Sequence, residues 1–435
     1  MNIPFCLPEN ITPEIFLRDY WQKKPLLIRN GLPQIVGLFE PKDMMELALE
    51  EEITARLIKC EDALLIRNGL PQIVGLFEPK DMMELALEEE ITARLIKCED
   101  EQWSVKNSPF TPHDLTKLPT KWSLMIQNLE QWSSELGALW QAFNFIPQWQ
   151  RDDIMVSCSP KSGTVGKHYD EYDVFLVQGF GTRRWQLGKW CDRSTEFKPN
   201  QPIRIFDDMG ELVLDEVMQA GDVLYVPSRM AHYGVSESES LTFSFGLRYP
   251  NATDILEKLA NTLTYQHEIM PNVDFNIPFR LSPDIQPNAL LDSKTITTLK
   301  QQLINLLQNS NEFDTLFTHS IASAVSTRRY DLLQTENEFY PDEVQEILEN
   351  GGWLEQDSNV KIIYTENPQR IYINGEWIDE LNPTERELLI RIANGDTISW
   401  NKLASKVKVQ ADLELLLDVI CDWLENGWIL LAEAE

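Results

Sequence analysis

The sequence predicts an α+β protein in three parts: a β-rich sandwich or barrel through residues 1–252, a helical stretch over 253–327, and a winged-helix-like tail over 328–435. Short alternating or apolar runs punctuated by Gly, Pro and Ser fill the stretch from about Gln102 to Pro250, as half-buried strands require. After Pro250 the hydrophobic period changes from 2 to 3.6. The last hundred residues read as helix, helix, helix and closing strand.

From the N-terminus, LLIRNGLPQIVGLFEPKDMMELALEEEITARLIKCED occurs at Leu26–Asp62 and again, letter for letter, at Leu64–Asp100, with Ala63 between. Solenoid repeats keep a pattern while their residues drift, because each copy meets different neighbours. Identity across the whole segment therefore reads as a recent tandem duplication or an error in the sequence. Each copy predicts a strand (LLIRN), a turn, an amphipathic helix (PKDMMELALEEE) and a second strand (TARLIKC). One copy is expected in the native position, with the other extruded or packed at the periphery.

The barrel strands are then DIMVSCS, DVFLVQG, RRWQLG, LVLDEVMQ, DVLYVP and LTFSFGLR. ATDILEKLANTLTY and SKTITTLKQQLINLLQ follow as helices. In the second, Ile296, Leu299, Leu303 and Leu306 make an apolar face that either packs within the chain or pairs with a second copy in an antiparallel dimer. In the tail, Pro383 opens a helix and Gly395 closes it, ISWNKLASKV and LELLLDVICDWLENG supply two more, and WILLAE is the closing strand.

Charge and cysteine usage narrow the function. Against 38 Lys and Arg stand 69 Asp and Glu, a formal net charge of -31, which argues against general phosphate-backbone binding and suits a basic partner. The tail over residues 361–435 holds 14 acidic and 7 basic residues. A DNA reader would show a basic recognition helix there, so a protein-interaction role is expected and direct DNA binding is not. Six scattered cysteines with no CxxC spacing indicate neither a zinc knuckle nor a disulfide framework, consistent with a reducing cytoplasm. No signal-peptide pattern and no run of 18 apolar residues is present, so no membrane span is expected.

In GKHYDEYDVFLVQGFGTRRWQLG, His168 and Asp170 are two residues apart, which on a strand puts both on one face. A lone H-x-D is more often a hydrogen-bonded pair than a metal pair. Downstream, AGDVLYVPSRMAHYG presents His232 after a Pro-led bend; alone it would read as a satisfied loop histidine. Two imidazoles and one carboxylate form the facial triad of non-haem Fe(II) oxygenases, which leaves neighbouring metal positions open. His113, His267 and His319 lack a comparable carboxylate neighbour and read as structural.

These motifs, H-x-D at His168 and Asp170, the GTRRWQLG strand and GDVLYVPSRMAH ending in His232, resemble those of JmjC, cupin-type 2-oxoglutarate oxygenases, whose barrel is a double-stranded β-helix. With the helical, dimerisation-type region and the winged-helix-like tail, the chain from Tyr20 onward resembles the bacterial ribosomal oxygenases that hydroxylate an arginine of large-subunit ribosomal protein number sixteen. The duplicated segment departs from that family's pattern, which has one such segment, but it lies before the metal motifs. The resemblance implies Fe(II) on His168, Asp170 and His232, with 2-oxoglutarate and O2 as co-substrates. It also implies that Arg183 holds the distal carboxylate of 2-oxoglutarate, assisted by Ser157. A guanidinium suits that task because it stays charged and binds carboxylate through two parallel hydrogen bonds; the plain alternative is that Arg183 or Arg184 is a solvated strand cation. For the substrate arginine the resemblance points to Asp152, and Asp153, Tyr172 and Ser244 add acceptors for its N–H donors. A homodimer and a basic ribosomal partner complete the expectation. Rival readings are a related JmjC histidine hydroxylase or lysine demethylase, and a cupin sensor that binds a metal or small acid without catalysis.

Overall fold

The structure is a computed structural model and describes residues 3–36, 93–107, 118–131, 133–275, 278, 290–329, 338–367, 369–406 and 410–432. The chain forms two compact units, Met1–Arg248 with Arg329–Val360 and Asn394–Glu435, and Tyr249–Arg328 with Lys361–Ala393.

In the first unit one antiparallel sheet takes in β1 (Leu26–Ile28), β2 (Ala93–Glu99), β3 (Gln102–Asn107), β4 (Lys121–Ile126), β5 (Arg151–Ser159), β6 (Asp173–Phe180), β9 (Val223–Val226) and β11 (Ser240–Leu247). Their spatial order is β1-β9-β6-β11-β5-β4-β2-β3. A smaller sheet runs β10 (Met230–Ser236), β7 (Arg183–Trp190), β8 (Leu214–Met218).

Period-2 alternation gives the large sheet two buried faces. On one side Phe175, Val177, Val223, Tyr225, Phe243 and Phe245 meet Phe16, Trp140 and Phe143; each such side chain stabilises the fold by ~1.5–3 kcal/mol. On the other side Val174, Leu176, Leu224 and Val226 meet Trp185, Leu187, Met218 and Met230 of the small sheet. The barrel interior is therefore bounded by both sheets, as the strand pattern predicts.

The duplicated segment behaves differently from the expectation that a single copy would sit in the native position. β1 comes from the first copy and pairs with β9, Leu26 opposite Tyr225. β2 comes from the second copy and pairs with β3 and β4. The sheet thus takes its opening strand from one copy and its later strand from the other. The helix expected in each copy lies outside the described residues.

Also in the first unit, helices Pro341–Glu349, Trp400–Ala404 and Gln410–Glu425 accompany β12 (Trp353–Gln356), β16 (Ile398–Ser399) and β17 (Ile429–Ala432), with β12 central. In the second unit, helices Ala252–Thr264, Ser293–Asn309, Asn311–Ser326 and Pro383–Ala393 accompany β13 (Ile362–Tyr364), β14 (Ile371–Ile373) and β15 (Glu376–Ile378). Their starts are capped as the sequence dictates: Asn251 and Asp254 form a capping box, and Asp292 and Ser310 accept the N–H groups of Thr295 and Phe313.

Candidate metal centre and co-substrate pocket

His168 and Asp170 lie in the extended connection before β6 rather than within a continuous strand, as the alternation argument had assumed. One antiparallel bridge, His168 to His232, restores the strand geometry locally. The two backbones clasp each other: His168 N donates to His232 O at 3.1 Å and His232 N to His168 O at 2.8 Å.

Each ring is then fixed by its own Nδ1. His168 Nδ1 lies 3.0 Å from Gly166 O, and His232 Nδ1 2.9 Å from Met230 O. A carbonyl only accepts, so both Nδ1 atoms carry the proton and both Nε2 lone pairs are left for a metal. Gly166 adopts a φ of 87°, a left-handed conformation that suits glycine. His232 is buried, and burial first, then His168, pushes it down to about 4; it is neutral at ordinary pH. Its Nε2 lies 3.5 Å from Asp170 Oδ2, and ligand atoms of His168, Asp170 and His232 all fall within 4.8 Å of one another. Two imidazoles and one carboxylate converging in this way fit Fe(II).

Deeper in the barrel, β7 alternation settles the choice between the two arginines. Arg184 points outward and pairs with Asp215 at 2.7 Å. Arg183 points inward and is 1% exposed. Its partners are weak acceptors: Ser157 Oγ at 3.2 Å, Ser159 Oγ and the Gly234 carbonyl at 3.5 Å. Its Nε has none, and no carboxylate among the described residues forms an ion pair with it. Burial lowers it to about 10. A buried cation with no counter-charge is costly, so the pocket fits a small anion. Gly234 makes the room: a Cβ there would stand 2.7 Å from Arg183 Nε and 2.8 Å from the Trp185 ring.

The expected substrate residues lie toward the start of β5. Ile154 pairs with Phe245 and Arg151 with Leu247, so two residues, Asp152 and Asp153, stand against Gly246 alone. Such a bulge interrupts the alternation. Arg151 stacks over Trp140 on the helix side, whereas regular alternation from Ser157 would have put it in the barrel. Asp152 and Asp153 are each 7% exposed. Asp152 accepts hydrogen bonds from Arg248 Nε and, at 3.0 Å, from Arg329 Nη1. Burial, then Asp152 and Glu130, raise Asp153 above the usual carboxylate range. Tyr172 is raised by Asp170 first, then by burial and Asp153, and Arg248 lies 4.4 Å over its ring; the phenol keeps its proton. Ser244 is buried on β11, opposite Met155 and Leu176.

Sequence reasoning missed the β10 strand, the bulge, Arg248 and Arg329 on Asp152, and Trp185. Only Trp185 carried a readable signal, since it follows Arg183 by two residues. Of the histidines set aside as structural, His319 bonds the Tyr372 hydroxyl at 3.2 Å, His267 is exposed on its helix, and His113 lies outside the described residues.

Comparison with known proteins gives these features a lineage. Residues 138–255 match the JmjC domain family and residues 302–429 the ROXA-like winged helix. A protein of Haemophilus influenzae named "Probable ribosomal oxygenase" is 54% identical over 99% of this chain and 98% of its own. The "Ribosomal protein uL16 3-hydroxylase" of Escherichia coli is 29% identical over 84% of each chain. The structure of YcfD, a ribosomal oxygenase from Escherichia coli, in complex with cobalt and 2-oxoglutarate superimposes with a TM-score of 0.67 at 25% identity, covering 96% of this chain and 97% of that one. Identity of that extent over nearly the whole of both chains, with the two families matched in the same order, shows that this protein belongs to the JmjC ribosomal oxygenase family.

Proposed function

We propose that this chain is an Fe(II)- and 2-oxoglutarate-dependent oxygenase that hydroxylates an arginine side chain of a basic large-subunit ribosomal protein, with the uL16 protein as first candidate. The observation that carries the reading is the pairing of a convergent His168, Asp170, His232 triad with a buried Arg183 that has no carboxylate partner among the described residues. One supplies metal ligands and the other an anion anchor, and a single ring, Trp185, lies 6.1 Å from His232 and 5.0 Å from Arg183.

When bound, iron and 2-oxoglutarate supply the oxidation: O2 is consumed, 2-oxoglutarate yields succinate and CO2, and one oxygen enters the substrate C–H bond. The chain's own residues do the positioning. Arg183, with Ser157, fixes the distal carboxylate and so sets how the keto-acid end meets the triad. The carbonyls of Gly166 and Met230 hold the imidazoles in the ligating tautomer. Asp152, Asp153, Tyr172 and Ser244 receive the substrate guanidinium at the mouth. Because Asp152 already holds two guanidinium groups, the incoming arginine shares that carboxylate or displaces Arg329.

The unit outside the barrel supports a homodimer. In helix Ser293–Asn309, Ile296, Leu303 and Leu307 are exposed, and Leu299 and Leu306 only half-buried, so the apolar face is not covered among the described residues. No described helix is long and apolar enough to cross a membrane, and a ribosomal substrate supports a cytoplasmic location.

The test is incubation with Fe(II), 2-oxoglutarate, O2 and large-subunit ribosomal proteins, followed by peptide mass spectrometry. A single added oxygen on an arginine peptide is expected, absent for Asp170→Ala. Succinate formation with no modified ribosomal peptide would overturn the substrate, and turnover by Asp170→Ala would overturn the ligand set.

A further inference from the structure

Two guanidinium groups converge on the buried carboxylate of Asp152, and they are held differently. The Asp152 side chain is 6% exposed, against 40% for Arg248 and 48% for Arg329. Arg248 donates through Nε, its guanidinium carbon lies 4.4 Å from the Tyr172 ring centroid, and its backbone N–H donates to Gln150 O at 2.7 Å. It follows Leu247, which pairs with Arg151 and Asp173, so sheet and ring both anchor it. Arg329 instead reaches Asp152 with a terminal nitrogen, Nη1, at 3.0 Å, from a bend outside any helix or strand.

Arg329 also bears on the second carboxylate. Asp153 is raised first by burial, then by Asp152 and Glu130, and the charge of Arg329 works against that rise. A half-exposed guanidinium set end-on to Asp152, with its charge felt at Asp153, is the arrangement that a substrate arginine would adopt on the same two residues. It also meets a need of the empty site, because buried carboxylates left short of cations are costly.

We propose that Arg329 is an internal occupant of the substrate-guanidinium site: the ligand-free chain fills the site with its own arginine and gives it up when a substrate arginine arrives. The inference rests on the assignment of Asp152 to the substrate. Arg248 stays in place as a fixed wall. Substrate then binds only the fraction of chains in which Arg329 has left Asp152, and its apparent affinity is reduced by that fraction. Removing the occupant therefore tightens substrate binding, an effect that damage to the fold does not produce.

The experiment measures anaerobic binding of the uL16 protein to chains loaded with Co(II) and 2-oxoglutarate. The native chain is compared with Arg329→Gln, Arg248→Gln, the double variant Asp152→Asn/Arg329→Gln, and Arg18→Gln, which removes one charge from an exposed arginine elsewhere. Phenylglyoxal modification of Arg329, mapped by peptide mass spectrometry, is followed in the native chain with and without uL16. The expected result is about tenfold tighter binding by Arg329→Gln, no tightening by Arg248→Gln or Arg18→Gln, and faster modification of Arg329 in the complex. The double variant should bind more weakly than Arg329→Gln. Unchanged or weaker binding by Arg329→Gln, beside a further loss in the double variant, would overturn the occupant and leave Asp152 as a substrate contact. Slower or unchanged modification of Arg329 in the complex would mean that the two arginines share the carboxylate, and would overturn the displacement. Equal tightening by Arg18→Gln would reduce the effect to net charge. A double variant that binds as tightly as Arg329→Gln would overturn the substrate assignment of Asp152, and the inference with it.

Discussion

Replacing Arg183 by Met should move stability in opposite directions with and without ligand. Burial takes the guanidinium from 12.5 to about 10, and at 1.36 kcal/mol per pKa unit the ligand-free fold bears about 3 kcal/mol for holding the charge. Against this stand only long contacts to Ser157, Ser159 and Gly234, worth roughly 1 kcal/mol in sum. Met fills much of the same space without the charge, so the ligand-free variant should gain about 1–2 kcal/mol. With 2-oxoglutarate the order reverses. Two charge-assisted hydrogen bonds at ~1.5 kcal/mol or more each account for a loss of at least about 100-fold in affinity. At a concentration about 100 times the native Kd, the native chain is stabilised by ~2.7 kcal/mol and the variant by less than about 0.5 kcal/mol. Chemical denaturation with Co(II), with and without 2-oxoglutarate, reads both quantities. A variant that is weaker without ligand and still stabilised by 2-oxoglutarate would refute the reasoning, because Arg183 would then be a structural cation.

Other consequences are equally open to measurement. Asp153 is raised by burial and by Asp152 and Glu130, so its ionisation costs stability as pH climbs above the ordinary carboxylate range of ~4. Binding a guanidinium needs the ionised form, so affinity for an arginine peptide should rise with pH over that range; Asp153→Asn should flatten the profile, and a parallel slope in the variant would assign the dependence elsewhere. Deleting residues 37–74 leaves one uninterrupted copy of the duplicated segment and keeps β1 and β2 as they stand. The shortened chain should bind 2-oxoglutarate as tightly and unfold at equal or higher denaturant, since a shorter connection costs less entropy to close; a loss of folding would show that both copies are needed. Leu303→Asp, on the exposed apolar helix face, should shift sedimentation from dimer to monomer while leaving metal affinity intact. A native chain that already sediments as a monomer would remove the homodimer from the reading.

Most of the barrel was legible because its strands alternate between two apolar faces, and each predicted run from DIMVSCS to LTFSFGLR overlaps an observed strand. β10 was not, for a physical reason. Its positions facing Arg183 and His168 are His232, Gly234 and Ser236: a proposed metal ligand, a glycine making room for Arg183 and Trp185, and a hydroxyl. Function has replaced the apolar residues that would have announced a strand. The inward choice of Arg183 over Arg184 also needed the β7 partners, and the aim of Asp152 and Asp153 depends on a register shift against Gly246 that a single strand's sequence does not encode. The histidine and carboxylate spacing was readable, yet the clasp that sets their geometry is made of backbone atoms.

The bulge at Asp152 and Asp153 divides β5 into two independently adjustable lengths. Beyond it, Ser157 opposite Thr242 and Met125 keeps a regular ladder, and with it the pocket around Arg183, proposed to hold the co-substrate. Before it, the register has already slipped by one, so gaining or losing a residue at that point re-aims the side chains at the mouth without moving Ser157 or its neighbours. A lineage with this architecture can change the side chain it oxidises by editing a few positions at one end of a strand, and inherit the oxidation chemistry at the other end untouched.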